Sequence, residues 1–111
     1  MTKDRRQRRV GIDILVNKYI EGEGHVCRAV NVSTGGMLLY KVFEPNIPHD
    51  EVSVEFQLPG SQRVLRADGI TLAEDSDARK HGVRFTRIAE EDKLLLERFL
   101  RGELHEEAAA L

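Results

Sequence analysis

Two short stretches hold side chains that could do chemistry. The first is "RRQRR", residues 5–9, with Arg5, Arg6, Arg8 and Arg9. Arginine forks match phosphate oxygens, and they also match the O6 and N7 edge of guanine. The second is "NVSTGG", residues 31–36. Asn31 and Ser33 are two apart, so at a strand's end both project from one face. Gly35 and Gly36 let the backbone turn and keep the surface clear for a close ligand. Arginines for an anion and a polar cradle for a base suit a small anionic ligand. Taken singly, each stretch also has a plain structural reading: a solvated charged tail, and an Asx- or Ser-type turn that closes a loop.

Other chemistry is poorly supplied. His25, His49, His81 and His105 are widely separated. His25 and Cys27 would share one strand face, but two ligands do not make a tetrahedral site, so no metal is expected. Ser33 has no neighbouring His or Lys to activate it as a nucleophile. "TGG" lacks the Lys and the following helix of a phosphate-binding P-loop. The residues therefore point to binding and not to an enzyme. With one cysteine there is no intramolecular disulfide, which suits a reducing cytoplasm. No apolar run approaches the ~20 residues of a membrane helix. Asp13 and Asn17 interrupt the segment after the basic start, so no secretory leader and a cytoplasmic location are expected.

Charge is unevenly spread. The net charge is −2. Five Lys and Arg against Asp4 put the first nine residues at +4, leaving −6 on the remainder. A basic arm on an acidic body fits an anionic partner for the arm. It does not fit a nucleic-acid groove, which needs a basic surface and aromatic platforms for base stacking. Phe56, Phe85 and Phe99 sit at positions expected in the core.

The elements that must position these residues follow from period-two alternation. Val10, Ile12, Ile14 and Val16 mark a first strand, and "EGEG", residues 21–24, a turn. His25 to Val32 is a second strand and Gly36 to Tyr40 a third. After the loop "EPNIPHDE", Val52 to Leu58 is a fourth, with "PGSQ" turning into Val64 to Ala73. That fifth strand should bend or bulge near Asp68-Gly69. His81 to Thr86 is a sixth. The period then changes, and Leu95, Leu96, Phe99 and Leu100 share one helical stripe. Glu90, Glu91 and Asp92 in its first turn and Arg98 and Arg101 near its end match the helix dipole, with Gly102 as the C′ residue. Ala89 is a poor N-cap. This is a mainly β chain: a six-stranded antiparallel barrel with one C-terminal helix at an open end. It divides into a flexible basic arm (1–9), a barrel (10–86), a helix (87–102) and a tail (103–111).

The two motifs together resemble those of the PilZ domain family, bacterial receptor modules for cyclic di-GMP. The family carries RxxxR before its first strand and [DN]xSxxG between its second and third. Here these are Arg5 and Arg9, then Asn31, Ser33 and Gly36. "HGVRF", residues 81–85, is similar to the family's late Gly-x-x-Phe strand, and the resemblance runs from about residue 4 to 101. Asn31 stands where Asp is commoner; it keeps one acceptor oxygen and loses the charge. The resemblance implies that Asn31 and Ser33 hydrogen-bond a guanine, that Gly36 leaves room for it, and that Arg5 and Arg9 engage phosphate and guanine. Arg6, Arg8 and Gly35 are secondary candidates for contact. It implies a cytoplasmic effector that binds cyclic di-GMP and signals to a downstream protein, or acts as a homodimer. Two other readings of the sequence are an interaction module of the same fold without a ligand, and a small nucleic-acid-binding barrel.

Overall fold

An apolar side chain at every second position commits a segment to a strand with one buried face, and six such segments in one small chain must share a single interior. The computed structural model describes residues 9–42, 50–72 and 79–104. The strands are β1 (Val10–Ile20), β2 (Glu23–Ser33), β3 (Gly36–Lys41), β4 (Glu51–Gln57), β5 (Val64–Leu72) and β6 (Lys80–Ile88), followed by the helix α1 (Glu90–Leu100). All pairs are antiparallel and the sheet closes in the order β1-β2-β3-β6-β5-β4. This is the six-stranded barrel with one C-terminal helix that the alternation implied. Val16, Ala29, Val32, Leu39, Val54 and Leu65 fill its interior.

Element ends differ slightly from the sequence reading. Glu21 (φ 51) and Gly22 (φ 85) are both left-handed. Two such residues reverse a hairpin by themselves, so Glu23 and Gly24 are released into β2. β6 runs to Ile88, two residues into the segment expected to be helical. There Ile88 pairs with Ala67, beyond a register shift at Asp68/Gly69 where the bend was expected. Gly69 is required at that shift, since a Cβ there would lie 2.5 Å from the Arg84 carbonyl oxygen. The side chain of Lys18 continues the inward parity of β1 and is fully buried, with Nζ 2.7 Å from His81 Nε2 across the barrel.

α1 starts without a side-chain cap on Ala89. Asp92, in its first turn, is only 5 % exposed. It accepts from Arg63 Nε at 2.7 Å and from the Arg66 backbone N–H at 3.3 Å, which ties the helix to the start of β5. Leu96 and Leu100 enter the core. At the other end Gly102 (φ 76) allows the Glu103 N–H to reach the Arg98 carbonyl and its own N–H to reach Phe99, a Schellman ending.

Candidate functional site

Strand parity alone would bury Asn31. Cys27 and Ala29 point into the core on the odd positions of β2, and Asn31 would follow them. The register with β3 shifts between Ala29 and Asn31 instead, so that Asn31 faces Leu38 and Val32 faces Met37. Val32 and Met37 are buried, which turns Asn31 and Ser33 to the outer face. The two side chains therefore share one face, as their spacing requires, but a bulge at Val30 decides which face it is.

Arg9 lies just before β1, where Gly11 pairs with Asn31. Its Nη1 donates to Asn31 Oδ1 at 2.8 Å, so the structure joins the two sequence motifs directly. Arg5, Arg6 and Arg8 lie outside the described residues. Ser33 is 1 % exposed and not the open turn hydroxyl that its loop position suggests. Its Oγ accepts from the Gly35 N–H at 3.2 Å and donates to the Gly36 carbonyl at 3.4 Å, so it holds the turn in shape.

Gly36 has a structural reason to be glycine. A Cβ would come 2.2 Å from the Val83 carbonyl oxygen. β3 and β6 thus approach through bare backbone here, and the Phe85 N–H reaches the Gly35 carbonyl at 2.8 Å. The result is a shallow concavity of about 340 Å³, lined by Arg9, Ser33, Gly35, Gly36 and Leu38 from the motif side and by Leu72 and Arg84 from β5 and β6. That volume is at the lower end for small-molecule sites, about 300–1,000 Å³. Leu38 is a local neighbour, paired with Asn31 across the β2–β3 hairpin, whereas Arg84 and Leu72 were not legible as neighbours of the motif, because β3 and β5 meet β6 only through the barrel's closure order.

The model of the PilZ domain matches residues 3–102. The chain belongs to the PilZ family. No curated protein sequence matches it. Among solved structures, the Bacillus subtilis inhibitor of motility MotI/DgrA is similar at 17 % identity and TM-score 0.74, over 88 % of this chain and 50 % of that one. This PilZ domain therefore spans half the length of that protein. The PilZ domain of Escherichia coli YcgR, solved with c-di-GMP, is similar at 17 % identity and TM-score 0.68, over 96 % of this chain and 95 % of that one. The PilZ domain of CeSA from a cellulose-synthesizing bacterium follows at 13 % identity and TM-score 0.63, over 88 % of this chain and 99 % of that one.

A larger hollow of about 1,020 Å³ lies elsewhere on this PilZ domain, over β1, β4, β5 and β6. Several of its polar groups are already hydrogen-bonded. Tyr19 donates to Glu55 at 3.0 Å, Arg66 bonds the same carboxylate at 3.0 Å, and Ser53 donates to Asp68 at 2.8 Å. The bond to Glu55, more than any other cause, holds the Tyr19 phenol above its ordinary pKa. With Glu21, Glu51 and Asp68 set against Arg66 and Arg87 in its lining, this hollow offers less to an anion than the Arg9 side, so size is the weaker guide. Among the described residues, no group of three or more His, Cys, Asp or Glu could hold a metal ion, and no helix is long and apolar enough to cross a membrane.

Proposed function

We propose that this PilZ domain is a receptor for cyclic di-GMP that acts by binding and not by catalysis. Family membership supplies the class of module, and the E. coli domain solved with c-di-GMP supplies the ligand. The observation that carries the reading for this chain is the 2.8 Å bond from Arg9 to Asn31, which brings the arm's motif and the turn's motif to one point on the outer face.

In this reading Asn31 Oδ1 accepts from a guanine N–H, and Ser33 keeps the turn in the shape that presents it. Gly35 and Gly36 form the floor. Arg9 leaves Asn31 for the ligand, and Arg5 joins it from the 1–9 arm to take phosphate and guanine, with Arg6 and Arg8 adding attraction. Closing the arm on the barrel changes the surface offered to a downstream protein in the cytoplasm, or to a second copy of the chain.

Calorimetric titration with cyclic di-GMP and cyclic di-AMP tests this. Adenine lacks the O6 acceptor and presents a donor at that edge, so a guanine-reading site leaves polar groups unpaired and rejects it by several kcal/mol, on the order of 100-fold or more. Equal binding of the two would remove the guanine reading. Binding of neither would leave an interaction module without a ligand.

A further inference from the structure

The two motifs account for one side of the concavity. The other side holds Arg84, and its setting differs from that of five other described arginines. Arg28, Arg63, Arg66, Arg98 and Arg101 each lie within 4.0 Å of a carboxylate oxygen. Arg84 is exposed and has no carboxylate in that range among the described residues. On β6 it stands between inward-turned Val83 and Phe85, so it points outward. It pairs with Gly36 on β3 and with Ile70 on β5. Ser33, Gly36 and Arg84 are thus consecutive across three hydrogen-bonded strands. Neighbouring strands are about 4.8 Å apart, which puts the Arg84 backbone roughly 10 Å from that of Ser33. Gly36 raises no side chain between them.

We infer that Arg84 is a third ligand-binding arginine, which receives a phosphodiester of the dinucleotide on the barrel's own surface, opposite the arm. The inference rests on the receptor reading above. With the base at Asn31 and Ser33, a phosphate lies one ribose further along. A guanidinium at that remove, with no carboxylate partner among the described residues and on a rigid strand, meets it without ordering a loop. Leu38 and the 42 % exposed Leu72 flank the path and offer the ribose an apolar wall. Because Arg84 comes from β6 and Asn31 from β2, the ligand would bridge strands on either side of β3.

The test is cyclic di-GMP titration of the full chain and of Arg84→Gln, Arg84→Lys, Arg87→Gln and Ser33→Ala at low and physiological salt. A hydrogen bond to a charged group is expected to make Arg84→Gln about 10- to 100-fold weaker. Its affinity should also depend less on salt than the parent's does, a change that a structural role would not cause. Arg84→Lys keeps the charge and should recover much of the loss, which also guards against a folding defect in the Gln variant. Arg87→Gln, which removes an arginine from the larger hollow, should bind as the parent does. If Arg84→Gln binds like the parent while Ser33→Ala is weakened, the Arg84 role is wrong and the receptor reading stands. If the parent does not bind at all, both fall. Weakening at Arg84 without weakening at Ser33 would keep the arginine's role and remove the serine's.

Discussion

Replacing Gly36 by Ala separates a packing role from a ligand role at a position where the family motif alone suggests the second. The added methyl would start 2.2 Å from the Val83 carbonyl oxygen, with the Val83 carbon and the Arg84 Cα at 3.2 and 3.3 Å. All three are backbone atoms, so no rotamer change relieves the clash. Restoring an ordinary contact requires β3 and β6 to part by about 1 Å there. The 2.8 Å bond from the Phe85 N–H to the Gly35 carbonyl would then stretch beyond hydrogen-bonding range. Overpacking costs about 1–3 kcal/mol and the lost bond about 1 kcal/mol, together roughly 2–4 kcal/mol. For a domain of this size each kcal/mol lowers Tm by about 4–8 °C, so a fall of roughly 8–32 °C is expected by calorimetry or circular dichroism. Gly11→Ala is the control, since nothing lies within 4 Å of its added methyl, and it should stay within about 0.5 kcal/mol of the parent. A Gly36→Ala protein that melts within about 2 °C of the parent refutes the strand-contact argument. If it does melt early, a loss of ligand binding in that variant reports a disturbed barrel and not a clash with guanine.

Three further outcomes follow from the side-chain bonds. Ser33→Ala should lower stability by about 1 kcal/mol in urea unfolding and weaken cyclic di-GMP binding several-fold, because the hydroxyl holds the turn at Gly35 and Gly36; unchanged values in both assays would remove its role. Asp92→Ala leaves the Arg66 N–H and the Arg63 guanidinium without their acceptor and should cost about 1–3 kcal/mol, seen as a lower urea midpoint; a midpoint equal to the parent's would show that the helix is held by Leu96 and Leu100 alone. Tyr19 should ionise above its ordinary value of 10.0, because it donates to the Glu55 carboxylate. A raised folded value means the bond's contribution is complete below pH 10 and is lost as pH rises through that higher value. Ultraviolet titration should show a high-pH phenol step that Tyr19→Phe abolishes, and a step at or below 10 that Tyr19→Phe removes would contradict the contact.

Alternation was enough for the barrel, and the two polar motifs were visible as short strings, since each is a local property. The apolar even positions of β1, the Asp68-Gly69 bend and the Asn31–Ser33 pair were all legible in this way. What was hidden depends on strands far apart in sequence. Lys18 has inward parity like Val16, but nothing near it in the chain announces His81. The bulge at Val30 reverses the parity that would otherwise bury Asn31, and the β3–β6 pairing that makes Gly36 indispensable joins segments more than forty residues apart. Arg84 lies in "HGVRF", which marks only a strand, and its place two strands from Ser33 appears once the barrel closes. Ser33 looked like an exposed turn hydroxyl and is buried, with its Oγ bonded to Gly35 and Gly36.

Titrating cyclic di-GMP into isotope-labelled protein and following the backbone amide signals tests the central claim most directly, since it reports binding and location at once. The account predicts saturable shifts at Arg9, Ser33, Gly35, Leu38 and Arg84, with Ser53 and Glu55 on β4 unmoved. Absence of saturable shifts, or shifts concentrated around Tyr19, Ser53 and Glu55, would contradict it.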